Sequence, residues 1–451
     1  GPKGEYAFEG APAEKTLANG LRVIVARSSD LPLVTADLTV KTGASADPPG
    51  LAGAASMMAG MLTEGTKSRS AQAIASQTES LGATLGSGGG LESSSVTLTV
   101  MPDKLAAGMA IMADVARNPA FATEGLERQR EQALDGLRVA YEQPGQVAGF
   151  AAAPVIYGGT PFGHTPQGTP ASIRKLKPAD LAALHAAGFR PDNAILVLTG
   201  DISAEAGFAA AEQAFGGWAR PASPLPAAPA VTPKIQPRAV ANDIPGTGQA
   251  SVNVLKPAIA RTDPAYYPGV VAATVLGGGY SARLNQEIRI KRGLSYGASA
   301  RLSTARTTGS FRASAQTKNE SAGQVLELIN AELARLAAQP VGADELKARK
   351  STLVGDYGRE LATSSGLADI LGNYALYGVP LDELGRYTAK VEAVTPAEVQ
   401  AFAKTSLDPA QTSVIVAGDA KGYAAGLKAK LPNLEIIPAA ELDLESPTLR
   451  K

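Results

Sequence analysis

The chain has 451 residues with 42 basic and 42 acidic side chains, so its formal net charge is zero. A chain of this length is expected to divide into two or more domains. Lys and Arg are spread along it rather than clustered, which argues against nucleic acid or an anionic membrane as the partner. No apolar run is long enough to span a bilayer, and the absence of Cys excludes disulfides, thiolate metal sites and Cys nucleophiles.

The first half of the sequence is predicted to contain strands and helices in successive runs. Strands are expected at 21–27, 34–41 and 93–100, and helices at 53–63, 71–81, 104–117 and 124–141. The Gly-rich segment 86–90 is interpreted as a flexible entry to the third strand, and a contact with substrate peptide there is a secondary interpretation.

A Pro/Ala-rich, aperiodic stretch begins at Arg220 and is typical of a semi-rigid linker. We therefore predict an N-terminal domain at 1–220, a linker at 221–247 and a C-terminal domain at 248–451. The two halves resemble a duplication, because the segment ending at Gly200-Asp201 aligns without a gap with the segment ending at Gly418-Asp419.

The second half repeats the same order of elements. Its strands are expected at 250–255, 296–303 and 310–317, and its helices at 322–338 and 343–361. Runs of strands and runs of helices favour an α+β fold in which a mainly antiparallel sheet packs against helices in each of two homologous domains.

The segment from Leu276 to Tyr296 carries the strongest functional signal. Gly277, Gly278 and Gly279 precede a short helix but lack the Lys-Ser/Thr of a phosphate-binding loop, so we interpret them as a capping turn that allows substrate peptide to approach. Gly293 is predicted to end the helix, and an alternating run then begins. Arg289 and Tyr296 are seven residues apart, so the helix end and the strand start can direct a guanidinium and a phenol towards one point.

Two His residues, His164 and His185, limit the metal chemistry. Zinc hydrolases usually bind their metal with two or three His and a carboxylate. His185 lies in a predicted helix with no acidic residue four positions later, and His164 lies in a turn-rich segment. We expect both to be packed or surface imidazoles, and no complete zinc site in this chain.

The chain resembles the pitrilysin / mitochondrial processing peptidase family of inverted zinc peptidases over nearly its whole length. In that family the first half carries H-x-x-E-H on a helix, and a distant Glu completes the metal site. The flanks of that motif are present here as Asp47-Pro-Pro-Gly-Leu-Ala-Gly53 and Met61-Leu-Thr-Glu-Gly-Thr66.

The metal-site positions themselves are substituted. The resemblance places Ser56 and Gly60 at the zinc-binding His positions and Ala59 at the general-base Glu. The distant Glu aligns with Gly136, next to Asp135. The resemblance therefore implies no metal and no other cofactor in this chain, with zinc expected in a partner subunit.

Arg289 and Tyr296 match an Arg/Tyr pair that the family's zinc peptidases carry in their C-terminal half. The resemblance assigns the Arg to a substrate main-chain carbonyl and the Tyr hydroxyl to the oxyanion of the tetrahedral intermediate. It implies a non-catalytic subunit that forms half of a clamshell, pairs with a homologous zinc-bearing subunit and binds peptide. The family includes bacterial two-subunit members, and this resemblance favours a bacterial and periplasmic setting over a cytoplasmic one.

Other interpretations remain open. The chain as a whole also resembles structural core-type subunits of respiratory complexes, which have no role in proteolysis, and a self-sufficient peptidase with an unusual metal set is a third possibility. Arg289 alone is typical of a solvated helix charge beside Glu287, Lys291 and Arg292, and Tyr296 alone is typical of a half-buried strand aromatic.

Overall fold

A computed structural model describes residues 11–28, 31–229, 231 and 236–451. They form two compact units. The first comprises the described residues up to Leu134 together with Pro166–Pro229 and Asp356–Gly385. The second comprises Asp135–Thr165, the described residues from 231 to Gly355, and Arg386–Lys451.

The first unit contains a sheet of six strands in its described residues. The strands are β1 (Ala13–Thr16), β2 (Arg22–Arg27), β3 (Val34–Val40), β4 (Thr84–Gly89), β5 (Ser94–Val100) and β6 (Ala194–Gly200). Their order across the sheet is β1-β2-β6-β3-β5-β4. The pair β2–β6 is parallel and the other neighbouring pairs are antiparallel.

The second unit contains a sheet of the same design. Its strands are β7 (Ala239–Asp243), β8 (Gln249–Ala258), β9 (Ala298–Thr304), β10 (Gly309–Lys318), β11 (Ser413–Gly418) and β12 (Glu435–Pro438). The order β12-β7-β11-β8-β10-β9 follows that of the first sheet position by position. β7 runs parallel to β11 and β12, and the remaining pairs are antiparallel. The predicted α+β fold with two homologous, mainly antiparallel sheets is confirmed.

Helices follow the strands in both units. They are α1 (Ala54–Gly60), α2 (Ala71–Ser80), α3 (Leu105–Arg117), α4 (Thr123–Ala140), α5 (Pro144–Tyr157), α6 (Pro170–Lys175), α7 (Pro178–Gly188), α8 (Ala204–Phe215), α9 (Tyr266–Gly277), α10 (Arg283–Asn285), α11 (Ala322–Ala338), α12 (Ala343–Leu361), α13 (Ser364–Tyr377), α14 (Glu383–Glu392), α15 (Pro396–Ser406) and α16 (Ala420–Lys430). A π-helical turn at Gln286–Ile290 follows α10 directly. Within the described ranges, none of the helices combines the length and apolarity that a bilayer span requires.

Each sheet buries an apolar face beneath helices of its own unit. In β5 the buried positions alternate with half-buried ones, and in β10 Phe311, Ala313 and Ala315 are buried while their neighbours are not. This period of two places successive side chains on opposite faces of a strand. The apolar side of β5 packs against α3, and that of β10 packs against α11.

The opposite, polar face of each sheet is partly covered by a helix from the other half of the sequence. α13 packs on β3 and β6 in the first unit, and α5 packs on β8 and β11 in the second. Thr199 donates a 2.6 Å hydrogen bond to the carbonyl of Ser364 in α13. The predicted domains at 1–220 and 248–451 follow the halves of the sequence, whereas the compact units exchange these two helices, because helical periodicity does not identify the sheet on which a helix packs.

Three local predictions differ from the structure. Residues 86–89 do not form a flexible entry: they belong to β4 and pair with β5 along their length. The strand predicted at 296–303 begins at Ala298 instead. β7 lies inside the predicted 221–247 linker, because Val240 and Ala241 are fully buried in the sheet. Residues 230 and 232–235 of that linker lie outside the described residues.

Candidate functional site

Arg289 lies in the π-helical turn between α10 and β9. The amide of Lys291 donates to the carbonyl of Gln286 at 2.9 Å, which is the five-residue spacing of a π-helix. This widened turn presents Arg289 at the surface while Ile288 stays fully buried. The Arg289 guanidinium lies 5.1 Å from the centroid of the Tyr280 ring, a cation–π contact.

The acidic side chain next to Arg289 is already paired. Glu287 accepts a 2.6 Å hydrogen bond from Lys291 and a 2.8 Å bond from Arg292. These two bonds hold the pKa of Glu287 below its ordinary value. Arg289 itself forms no ion pair or side-chain hydrogen bond with the described residues. Its charge therefore remains available for a ligand.

Tyr296 lies in the loop that enters β9, with 82% of its surface exposed. The interpretation of Tyr296 as a half-buried strand aromatic is wrong, and so is the expectation that it begins the strand. The physical reason is a local turn in which the Ser295 hydroxyl donates to the carbonyl of Gly297 at 2.7 Å and accepts from its amide at 3.1 Å. The turn bends the chain before the sheet ladder starts at Ala298.

The chain on both sides of Tyr296 is anchored. Thr317 donates a 2.6 Å hydrogen bond to the carbonyl of Leu294, and the amide of Ala298 donates to Asn285 Oδ1 at 3.3 Å. Gly293 has a φ of +62° and its amide bonds to the carbonyl of Arg289, so it ends the helical segment as predicted. The phenol hydroxyl of Tyr296 thus forms no hydrogen bond with the described residues, and its loop is anchored on both sides.

The three glycines predicted to bind substrate differ in their surroundings. A Cβ on Gly277 would lie 2.1 Å from the amide nitrogen of Ala300, so this glycine lets α9 pack closely on β9. A Cβ on Gly278 would lie 2.6 Å from Thr274 Cγ2. Gly279 is exposed, and a Cβ there would meet its nearest atom, Arg349 Nη1, only at 3.6 Å. Of the three, Gly279 is the one whose surroundings leave room for a ligand.

α1 carries the positions that the resemblance aligns with the metal motif. Asp47 begins this helix by accepting hydrogen bonds from the amides of Gly53 and Ala55 at 2.9 and 2.7 Å. Ala59 is fully buried, and its carbonyl accepts a 2.6 Å bond from the Ser87 hydroxyl of the neighbouring strand β4. Together with the Ser56 and Gly60 substitutions, this arrangement is that of a packed structural helix.

The remaining candidate ligands are also dispersed. Asp135 and Gly136 are exposed on α4. His185 is a packed imidazole, as expected: Nε2 lies 2.7 Å from the carbonyl oxygen of Ala116 and the ring stacks on Phe189 at 4.6 Å. Burial lowers the pKa of His185. Within the described ranges, no three His, Cys, Asp or Glu side chains are grouped so that they could hold a metal ion. The side chains at the motif positions do not fit zinc.

Sequence reasoning missed Tyr280. It lies at the start of the motif segment, is 65% exposed and carries the Arg289 guanidinium over its ring. An aromatic residue directly after three glycines was the available signal. The spacing of nine residues to Arg289 does not predict the contact, because it spans a turn, α10 and the π-helical segment.

Two family models match the chain. Residues 22–151 match the insulinase family, peptidase family M16, and residues 175–353 match the peptidase M16 inactive domain. The first match contains α1, and the second contains Arg289 and Tyr296. The chain belongs to the M16 peptidase family.

Relatives and solved structures agree with this assignment. The chain is 25% identical over 409 residues to an uncharacterized zinc protease from Streptomyces coelicolor, covering 90% of this chain and 89% of the relative. It is 23% identical over 397 residues to the non-peptidase homolog YmxG from Helicobacter pylori, covering 85% and 88%. A crystal structure of a peptidase M16 inactive domain from Pseudomonas fluorescens superposes with a TM-score of 0.85 at 27% identity, covering 90% of this chain and 98% of that one. The chain therefore combines an M16-type fold with a region of the inactive-domain type.

Proposed function

We propose that this chain is the non-catalytic subunit of a heterodimeric zinc peptidase. Its partner is a homologous M16 chain that carries the metal and the general base. The observation that supports this proposal most directly is the contrast within the chain. The α1 positions of the zinc-binding His residues carry Ser56 and Gly60, and that of the general base carries Ala59. Arg289 and Tyr296, by contrast, are exposed and form no ion pair or side-chain hydrogen bond with the described residues.

In this proposal Tyr296 is the oxyanion donor of a composite site. The zinc of the partner subunit supplies the Lewis-acid chemistry of peptide hydrolysis. The Tyr296 hydroxyl donates a hydrogen bond to the oxygen of the scissile carbonyl as negative charge develops there, and Arg289 binds a neighbouring main-chain carbonyl. A preorganised donor of this kind is typically worth about 10²–10³ in kcat. Arg suits its role because its planar donors are permanently charged.

An extended substrate would add main-chain hydrogen bonds along a free sheet edge. β4 is an edge strand in the described part of the first sheet, and Cβ atoms on Gly86 and Gly88 would meet nothing within 4 Å. The small side chains of β4 leave its backbone accessible to a peptide. Peptide contact in this Gly-rich strand and at Gly279 belongs to the same proposal, as does the bacterial, periplasmic setting.

The test is reconstitution of cleavage from purified subunits. This chain is mixed with a homologous M16 chain that contains H-x-x-E-H, and cleavage of a quenched fluorescent peptide is measured. Tyr296→Phe should lower kcat about 100-fold or more relative to the wild type. The separate variant Arg289→Ala should lower kcat/KM relative to the wild type. Arg359→Ala is the matched control, because Arg359 is an exposed helix residue whose ion pair with Asp356 is solvated.

Full activity of the double variant Arg289→Ala/Tyr296→Phe would contradict the composite site and favour the structural-subunit alternative. Cleavage by this chain without a partner would contradict the proposal as a whole.

A further inference from the structure

The polar face of β9 and β10 is an open surface on the second unit. Ser299, Arg301 and Ser303 of β9 are exposed, and they alternate with the buried residues Ala300 and Leu302. In β10 the same face carries Arg312 and its polar neighbours two residues away on either side, all half-buried. α5 packs over β8 and β11, so the β9 end of this face is left accessible.

Two arginines face each other on this surface. Arg301 of β9 and Arg312 of β10 are direct cross-strand partners in the antiparallel ladder. Residues in such a pair have Cβ atoms about 5 Å apart, and like charges in this arrangement destabilise the sheet. We therefore expect this register to place two cations together at a cost in stability.

Neither arginine has an acidic partner among the described residues. Arg312 donates from Nε and Nη2 to one acceptor, Asn253 Oδ1, at 2.9 and 2.7 Å. Arg301 forms no side-chain hydrogen bond with the part of the chain that the structure describes. The strands β8, β9, β10 and β11 contain no Asp or Glu, and neither does α5, which covers the adjacent part of this face. Burial without a counter-charge lowers the pKa of Arg312.

The first sheet shows that the architecture does not require these arginines. The two sheets can be aligned by matching Gly200 of β6 with Gly418 of β11 and then following the strand registers. In this alignment Ser95 is equivalent to Arg312, and Gly88 is equivalent to Arg301. The same registers place Asp37 at the position of Asn253. The second sheet is thus positive on the face where the first sheet carries an acid.

The position of the pair indicates what it binds. β9 is the edge strand in the described part of its sheet, and it begins two residues after Tyr296. A peptide strand added beside β9 places every second side chain on the face that carries Arg301. Arg301 and Arg312 lie opposite each other on adjacent strands and on the same face. A carboxylate is the group that accepts paired hydrogen bonds from Arg.

We propose that Arg301 and Arg312 bind an acidic side chain of an extended peptide substrate, so that the second unit selects Asp or Glu at one position of that peptide. This inference rests on the proposed peptide-binding function and names the substrate class. The first sheet carries an aspartate, Asp37, at the position equivalent to Asn253. An aspartate introduced at position 253 would pair with Arg312 and thereby weaken the site.

The test is peptide binding by the full-length chain, followed by fluorescence anisotropy at low salt. Two labelled ten-residue peptides differ only by Glu or Gln at a central position. The Glu peptide should bind about two- to fivefold more tightly, the size of a solvent-accessible ion pair. Arg301→Gln/Arg312→Gln and Asn253→Asp should each remove the difference without weakening the Gln peptide. Lys404→Gln/Lys428→Gln, which removes two exposed cations elsewhere on the second unit, should preserve it.

The possible failures are distinguishable. Equal affinity of the wild-type chain for both peptides would overturn the acidic preference and leave the proposed peptide-binding function intact. Absence of binding by either peptide would overturn both. A Glu preference together with full cleavage by Arg289→Ala/Tyr296→Phe in the reconstituted enzyme would overturn the composite site alone. Inorganic phosphate that binds the pair while the peptides show no preference would reassign the site to a free anion and reject the substrate inference.

Discussion

Asp37 and Asn253 occupy equivalent positions in the two sheets. Asp37 lies in β3 opposite Thr97 of β5, and Asn253 lies in β8 opposite Ser314 of β10. The same backbone position therefore carries an acid in one unit and a neutral amide in the other. In the first unit the buried carboxylate of Asp37 affects the free energy of unfolding. In the second unit the neutral amide of Asn253 does not compensate the charge of Arg312.

Asp37→Asn should stabilise the protein at neutral pH. Burial raises the pKa of Asp37, and the nearby Asp369 carboxylate raises it further, while hydrogen bonds from Thr39 and Thr97 lower it. A carboxyl whose folded-state pKa lies above its unfolded value of 3.8 contributes stability below that value. The contribution is lost as pH rises through the folded pKa. Denaturant unfolding should therefore show a gain for Asp37→Asn at pH 7 that shrinks towards pH 4.

The control for this prediction is Asp135→Asn, which neutralises an exposed acid on α4. Its unfolding free energy should follow that of the wild type at both pH values. A larger gain for Asp37→Asn at pH 4 than at pH 7 would show that the buried carboxylate is not the source of the effect.

Arg301→Gln should stabilise the second sheet. It removes the like charge that lies opposite Arg312 in the strand register, and it leaves the hydrogen bonds from Arg312 to Asn253 unchanged. The expected gain is about 0.2–1 kcal/mol in the free energy of unfolding, measured with urea at low salt. Lys404→Gln removes one exposed charge from the same unit and should give a smaller change. A loss of stability in Arg301→Gln would contradict the assignment of repulsion to this pair.

Two glycine substitutions should separate packing from ligand contact in the motif segment. Gly277→Ala places a methyl group 2.1 Å from the backbone nitrogen of Ala300, which should cost about 3 kcal/mol and lower Tm. Gly279→Ala meets its nearest atom at 3.6 Å, so its Tm should match the wild type. A raised KM for Gly279→Ala in the reconstituted peptidase would support substrate contact there, and an unchanged KM would reject it.

Arg283→Lys should weaken the support of the π-helical turn. Arg283 donates two hydrogen bonds to Glu345 at 2.9 and 2.8 Å, and these bonds lower the pKa of Glu345. Lys cannot reproduce this paired geometry. The expected loss is about 1–3 kcal/mol in the free energy of unfolding at pH 7.

The pH dependence provides a second readout of the same pair. A lowered carboxylate pKa contributes stability above its unfolded value of 4.5 that is lost as pH falls through the folded pKa, so the deficit of Arg283→Lys should shrink in acid. Arg359→Lys, at an exposed ion pair, should cost less than about 1 kcal/mol. Equal losses in the two variants would contradict a special role for the Arg283–Glu345 pair.

The sequence predicted the long regular elements well. α11 and α12 begin and end where their amphipathic pattern predicts, because seventeen or more residues of helical periodicity average out local exceptions. β4 was not recognised as a strand, because its Gly-rich sequence has low β propensity and only pairing with β5 specifies its conformation. Tyr296 was placed in a strand because alternation cannot detect the turn that Ser295 forms with Gly297.

The chemistry at the positions that the resemblance aligns with the metal motif was determined by the sequence alone, because Ser56, Ala59 and Gly60 carry neither imidazole nor carboxylate groups in any fold. The seven-residue spacing of Arg289 and Tyr296 was likewise readable without coordinates. Tertiary structure decided which of these groups are available. Glu287 pairs with Lys291 and Arg292, which leaves Arg289 without an acidic partner among the described residues. The cross-strand pairing of Arg301 with Arg312 depends on strand register. The hydrogen bonds between the strands, and not the sequence pattern, determine which side chains lie opposite each other.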